Sequence, residues 1–270
     1  MTTGCGGRAA VDPGDSWAHR RAEVIDPGGT MTVTVRSETS PQLVARIAGT
    51  LYLVIIVLGL TGEMFVRSSI IVPGDAAATA ANIAAAGGLF RLGFLADSVM
   101  FLCDVALAVL LYVLLRPVSA TIALLAMCFR LIQTSVIAAN LLHYQAAIVA
   151  LGDTGYATAF GAQPLDALAL LFLDLHGYGY DLGLLSFGVS CLLLGYLVYR
   201  SRYLPRFVGV LLSAAGVTYL VGSYTRFLFP AHVSAVAPLY LVASVAEVTM
   251  CLWLLTRGVR LSEWPAVAAG

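Results

Sequence analysis

An all-α integral membrane protein, a bundle of six transmembrane helices, is the fold class this sequence predicts, and three observations predict it. Hydrophobic residues make up 60% of the 270 and charged residues only 11%, against about 25% charged in an ordinary soluble chain. Six apolar segments each approach the ~20 residues that a helix needs to cross a ~30 Å hydrocarbon layer. Arginine, the only basic residue type apart from histidine, falls mostly on alternate connections between those segments. With a mean hydropathy of +0.90, a soluble fold of this length would leave far too much apolar surface in water.

Residues 1–40 differ from the rest. MTTGCGGRAAVDPGDSWAHRRAEVIDPGGT is rich in Gly, Pro and charge and has no apolar core of the kind a secretory signal carries. A disordered tail is expected. Met31 opens a plausible shorter chain, MTVTVRSETSPQLVARIAG, as an alternative start. The spanning domain is expected over 41–260 and a short tail over 261–270.

Apolar helices are predicted near 43–66, 91–115, 119–148, 177–199, 207–227 and 236–256. RPVSA at 116–120 makes a tight turn, because Pro117 ends one helix, and SRYLPRF at 201–207 does the same between the fourth and fifth. Between the first and second, IVPGDAAATAANIAAAGG predicts a short Ala-rich helix on the membrane surface, with Asp75 as N-cap and Gly87–Gly88 as stop. Pro164 opens either an interfacial helix that breaks near Gly177 and Gly179 or one continuous with the fourth span. The small-residue stripes Gly179–Gly183–Ser186–Ser190 and Gly209–Ser213–Gly216 predict close helix contacts.

With an even number of spans, Arg36, Arg46, Arg116, Arg200, Arg202, Arg206, Arg257 and Arg260 share one side, and Arg67, Arg91 and Arg226 the other. The positive-inside rule then puts both termini in the cytoplasm. Zero net charge and the absence of any polybasic run exclude a nucleic-acid partner and leave the lipid bilayer as the expected one.

FLCDVALAVLLYVLL, residues 101–115, carries one carboxylate, Asp104, inside an otherwise apolar run. A charge at the bilayer centre costs about 2.5–3.5 kcal/mol on insertion scales and so needs a partner. Asp104 stands thirteen residues before Pro117 and Arg130 thirteen after it. In an antiparallel hairpin the two meet at equal depth, about 20 Å from the turn, and an ion pair is expected. Glu247, about ten residues into the sixth helix from its end, reaches the same layer. One guanidinium facing two acids leaves excess negative charge, so one acid is expected to hold a proton. Gln133 and Asn140 share the helix face of Arg130, with Ile137 and Tyr144, and Asp97 lies two turns from Asp104 on a common stripe. Asp104, Arg130, Glu247, Gln133, Asn140 and Asp97 are thus the candidate binding layer. The plainer alternative is that these groups only tie helices together, each bond contributing about 0.6–2 kcal/mol.

A second set sits toward the opposite ends of the helices: Glu63, Arg67, Arg91, His143, Asp174, His176 and Asp181, with His232 in the last loop. Glu63 and Arg67 are four apart and form a local pair on the plain reading. Imidazoles and carboxylates together suit zinc or iron, but no HxxxH or HExxH spacing occurs, so neither a metal, a haem nor any other cofactor is expected. Cys5, Cys103, Cys128, Cys191 and Cys251 show no CxxC and read as packing residues.

RIAGTLYLVIIVLGLTGEMFVRSSIIVPGDAAATAANI, RLGFLADSVMFLCDVALAVLLYVLLRPV, LLLGYLVYRSRYLPRFVGVLLSAAGVTYLV and AEVTMCLWLLTRGV together resemble the bacterial membrane family catalogued as domain of unknown function 4386. The likeness covers roughly 41–260, and Glu63, Arg67, Asp75, Arg91, Asp104, Arg130, His176, Arg200, Pro205 and Glu247 match its polar landmarks. GYDLGLLSFGVS departs at Leu185–Ser186–Phe187, where relatives often carry an aromatic-rich pair. The resemblance implies a six-helix protein of the bacterial inner membrane and supplies no activity. Three function classes stay open: binding or transport of a small ion or amphiphile, a lipid-modifying enzyme at the outer face, and a structural or regulatory subunit without catalysis. No inverted repeat or pair of broken helices marks a standard secondary transporter.

Overall fold

The computed structural model describes residues 21–25, 31–35, 40–152 and 155–264. Six helices in it are long and apolar enough to span a membrane: Pro41–Ile70, Gly87–Leu115, Ala120–Leu151, Ala162–Arg200, Arg206–Leu228 and Pro230–Thr256. They are called the first to sixth spans. Each packs against its sequence neighbours, and the sixth closes on the first, so the bundle is a ring rather than a slab. The short connections at 116–119, 201–205 and 229 keep the spans they join adjacent, since antiparallel neighbours joined by a few residues have no room to part. The outward faces carry large exposed apolar side chains such as Leu53, Leu60, Leu102, Leu142, Val210 and Leu241, the surface expected where lipid tails are the solvent.

Much of the expected tail, residues 1–20, 26–30 and 36–39, lies outside the described residues. Arg21–Ile25 and Met31–Val35, by contrast, pair as antiparallel strands β1 and β2, Ile25 opposite Met31. The alternating β-branched run MTVTV suits one side of this local pairing. Residues 265–270 are likewise outside the described set, as are Cys5 and Arg36.

The fourth span is continuous over Ala162–Arg200, 39 residues, with no break at Gly177 or Gly179. At 1.5 Å per residue it is about 58 Å long, well beyond a ~30 Å layer. The excess is held by protein. The Ala-rich helix Ala76–Ala85 packs against the fourth span, and Ile83, Phe90, Tyr144, Ala147, Ala169 and Leu173 form one buried cluster there. Asp75 caps that helix through its carboxylate and Ala78 N–H at 2.9 Å, and Asn82 ties it back to the Ile70 carbonyl at 3.0 Å. A single residue, Ala86, separates it from the second span, which begins at Gly87.

A larger apolar cluster fills the other half of the bundle. Tyr52, Leu107, Leu111, Leu194, Leu197, Leu212, Met250 and Leu254 are all buried in it, from the first, second, fourth, fifth and sixth spans. This half ends at the Arg-rich connections. There the Tyr203 hydroxyl donates to the Leu114 carbonyl at 2.7 Å. Burial pushes that phenol above its ordinary value, so it stays a donor across the physiological range.

The small-residue stripes act within the bundle. Ser190 donates to the Ala126 carbonyl at 2.8 Å, joining the third and fourth spans, while Gly195 meets Gly209 and Ser213 of the fifth. A Cβ on Gly195 would fall 2.7 Å from both the Gly209 carbonyl oxygen and the Ser213 nitrogen, so only glycine permits this approach. Gly195→Val is expected to lower the thermal midpoint of the detergent-solubilised protein, with a loss on the order of 1–3 kcal/mol from overpacking. Gly87→Ala, where an added Cβ meets nothing within 4 Å, should leave the midpoint unchanged in the same fluorescence-detected melt.

Candidate functional site

Between the two apolar clusters the ring encloses a cavity of roughly 760 Å³, to which all six spans contribute. Along the fourth span its lining runs from Leu173 to Phe187, a depth of about 20 Å at the helical rise. Its mouth is bounded by Ser68 at the end of the first span, by Ile71 and Pro73 just after it, and by Val233, Val236 and Ala237 at the start of the sixth. Its floor carries Asp104, Arg130, Gln133, Phe187, Tyr219 and Glu247, directly above the large apolar cluster.

The floor is built on the pair that the spacing about Pro117 predicts. Arg130 donates from Nε at 2.9 Å and from Nη2 at 2.5 Å to Asp104 Oδ1. Thr134, one turn along from Arg130, donates to Asp104 Oδ2 at 2.5 Å. Arg130 is 2% exposed, and aromatic rings face its guanidinium, with Phe187 at 4.9 Å and Tyr52 at 5.5 Å to the ring centroids. Pairing and aromatic contact replace the hydration that burial removes. Arg130 Nη1 and Gln133 Oε1 are buried without a protein partner.

Glu247 lines the same floor but does not bond Arg130. Its carboxylate accepts a short hydrogen bond from the Tyr219 hydroxyl of the fifth span. The expected three-charge layer is therefore one ion pair plus a carboxylate held by a phenol. Tyr219 carries no charge and sits in the apolar run SAAGVTYLVG, so nothing in its neighbourhood marked it. Thr134 was discernible only as the residue four beyond Arg130.

Asp97 and Asn140, expected in the same layer, belong to a second polar group nearer the mouth. Seven residues from Asp104, Asp97 is displaced by about 10 Å along the helix, enough to reach a different partner. Arg67 Nη1 donates to Asp97 Oδ2 at 2.9 Å and Arg67 Nε to Glu63 Oε2 at 2.8 Å. One guanidinium thus bridges two carboxylates, and the Glu63–Arg67 pair is more than a local anchor. Both residues lie in a π-helical stretch, Gly62–Arg67, a widened turn that is frequent at functional sites. Asn140 donates to the His176 carbonyl at 2.7 Å, and His143 Nδ1 lies 2.9 Å from Asn140 Oδ1. His176 Nδ1 lies 3.2 Å from the Asn140 carbonyl. As that acceptor requires a donor, Nδ1 carries a proton. Nε2 is 3.9 Å from Asp97 Oδ2 and, like Asp97 Oδ1, is buried with no hydrogen-bond partner.

The remaining outer-face candidates do not join one cluster. Asp181 and Arg226 form a pair at the cavity wall, with Arg226 Nε 2.8 Å from Asp181 Oδ2, although that N–H is not aimed at the oxygen. Arg91, Asp174 and His232 are exposed and lie outside the cavity lining. Separate helix faces explain this: His176 points inward on the fourth span, and Asp174, two residues earlier, is turned about 200° from it. Among the described residues no group of three His, Cys, Asp or Glu side chains converges as metal ligands. Cys191 and Cys251 are buried and Cys128 faces outward, all as free thiols.

The family described as "Domain of unknown function (DUF4386)" matches residues 47–258, nearly the whole ring. A protein of Archaeoglobus fulgidus, described as uncharacterized, is 31% identical over 164 residues, which are 61% of this chain and 82% of that protein. No solved structure matches.

Asp104→Asn alone or Arg130→Gln alone leaves a buried group without its partner and is expected to cost about 3–5 kcal/mol. The double variant should lose less than the sum of the two, as read from thermal or denaturant melts in detergent. Simply additive losses would show that the two side chains are not coupled.

Proposed function

This chain belongs to the DUF4386 family, and from that premise we propose that it binds a small ion or amphiphilic molecule inside the ring of six spans. The observation that carries the reading is the cavity of roughly 760 Å³ reaching from an open mouth to a charged floor. That volume falls in the range of small-molecule sites, about 300–1,000 Å³. A chain using its charges only to clamp helices has no need of a space of this size above them. Apolar walls and a few convergent polar groups suit a ligand that is part apolar and part polar.

The cavity opens at one end, and the opposite half is filled with apolar side chains. This favours a binding protein, or a carrier whose second state opens elsewhere, over a continuous pore. The Arg-rich connections lie at the filled end, with Arg46, Arg116, Arg200, Arg202, Arg206 and Arg257 near the helix termini there. By the positive-inside rule that end faces the cytoplasm together with both termini, and the mouth faces the outside of a bacterial inner membrane.

Two measurements test this. Native mass spectrometry of the protein released from nanodiscs should show a retained small molecule in the wild type, and less of it in Ile137→Trp, which fills the cavity wall. Equal retention in both would remove the cavity as the binding place. A reporter enzyme inserted at Gly155, between the third and fourth spans, should give a non-cytoplasmic signal. A cytoplasmic one would invert the orientation.

A further inference from the structure

We infer that the ligand of this cavity is an organic cation, a quaternary or protonated amine with apolar substituents, and that Glu247 is its counter-ion. The inference rests on the cavity being a binding site and adds the chemical class of what enters it.

Charge pairing within the cavity carries the argument. Arg130 is matched by Asp104, and Arg226 by Asp181. Arg67 is matched twice over, by Asp97 and by Glu63. Glu247 has no basic side chain within 4 Å among the described residues and is held only by the neutral Tyr219 hydroxyl. That bond engages Oε1. Among the described residues no donor reaches Oε2, and the residue lines the cavity. An arriving anion would find every guanidinium already on a carboxylate and two further carboxylates, Glu63 and Glu247, opposing it. An arriving cation would find in Glu247 a half-buried carboxylate, lining the cavity, without a basic side chain beside it.

The walls around Glu247 suit the same class. Phe187 and Tyr219 have ring centroids 5.2 Å apart, and Tyr219 and Tyr240 5.9 Å apart. These rings lie next to the carboxylate through Tyr219. Aromatic faces attract cations, more strongly as desolvation increases, and Phe187 already hosts the Arg130 guanidinium at 4.9 Å. Arg130 Nη1, on a guanidinium whose charge Asp104 balances, and Gln133 Oε1 are both without partners and add a donor and an acceptor for a hydroxyl, carbonyl or water beside the cationic head.

The test uses two ions of one shape and opposite charge, tetraphenylphosphonium and tetraphenylborate. Each is titrated against the full-length protein in zwitterionic nanodiscs, and empty discs are subtracted. Saturable binding of the phosphonium, tighter than that of the borate by roughly tenfold or more, is expected, and Glu247→Gln should weaken it by a similar factor. Borate binding equal to or tighter than phosphonium binding overturns the cationic class, as does a folded Glu247→Gln protein with undiminished affinity. The comparison of the two ions in the wild type decides the matter even if that variant fails to fold. A retained neutral or anionic amphiphile in native mass spectra, with no phosphonium binding, would refute the cation while leaving the cavity reading in place. The absence of any saturable ligand and of any retained molecule would refute both.

Discussion

A guanidinium buried at the middle of an apolar bundle is a strict constraint on everything around it. Arg130 draws its carboxylate from the second span, its aromatic neighbours from the first and fourth, and a supporting hydroxyl from its own helix at Thr134. Turning the second or third span by one residue, about 100°, would send a charge toward lipid, where its cost is several kcal/mol. Rotation and depth of four helices are therefore tied to one interaction. The hairpin about Pro117 makes this possible, because its two legs have equal length from the turn to each charge.

Above and below that layer the interior divides by polarity. Below it, mostly apolar side chains from Tyr52 to Leu254 pack in one cluster, the Tyr203 hydroxyl satisfied by the Leu114 carbonyl, and glycine–serine contacts bring the fourth and fifth spans together. Above it, the interior stays open and polar, and carboxylates outnumber the guanidiniums they face. The π-helical turn at Gly62–Arg67 lies in this upper half and carries both Glu63 and Arg67 into the cavity lining. The over-long fourth span rises past the mouth, braced by the Ala76–Ala85 helix, and brings His176, Tyr180 and Asp181 to the wall. The apolar half packs the ring closed, while the polar half encloses the cavity.

Much of this was present in the linear order of residues. Apolar run lengths locate six spans because crossing hydrocarbon requires a minimum helix length, and Asp75 marks a helix start because its carboxylate can accept from the following backbone N–H groups. The Asp104–Arg130 pair is legible for a similarly local reason: in a hairpin with a tight turn, sequence distance from the turn is depth. The same logic fails for Asp97 and Asn140. They share stripes with Asp104 and Arg130, but a stripe runs the length of a helix, and two turns along it lie different neighbours, Arg67 and His176.

What the sequence by itself determined is membrane class, span number, the hairpin and its central charge pair, all of which follow from hydrophobicity and spacing along one or two adjacent helices. Only the tertiary structure decided which helices face each other across the ring. It gave Glu247 to Tyr219 rather than to Arg130, gave Arg67 two carboxylates, and left a cavity between an apolar half and an open mouth. These depend on how the sixth span closes against the first and fifth. Contacts between segments far apart in the chain are set by the packing of all the helices together, and no spacing within a single segment encodes them.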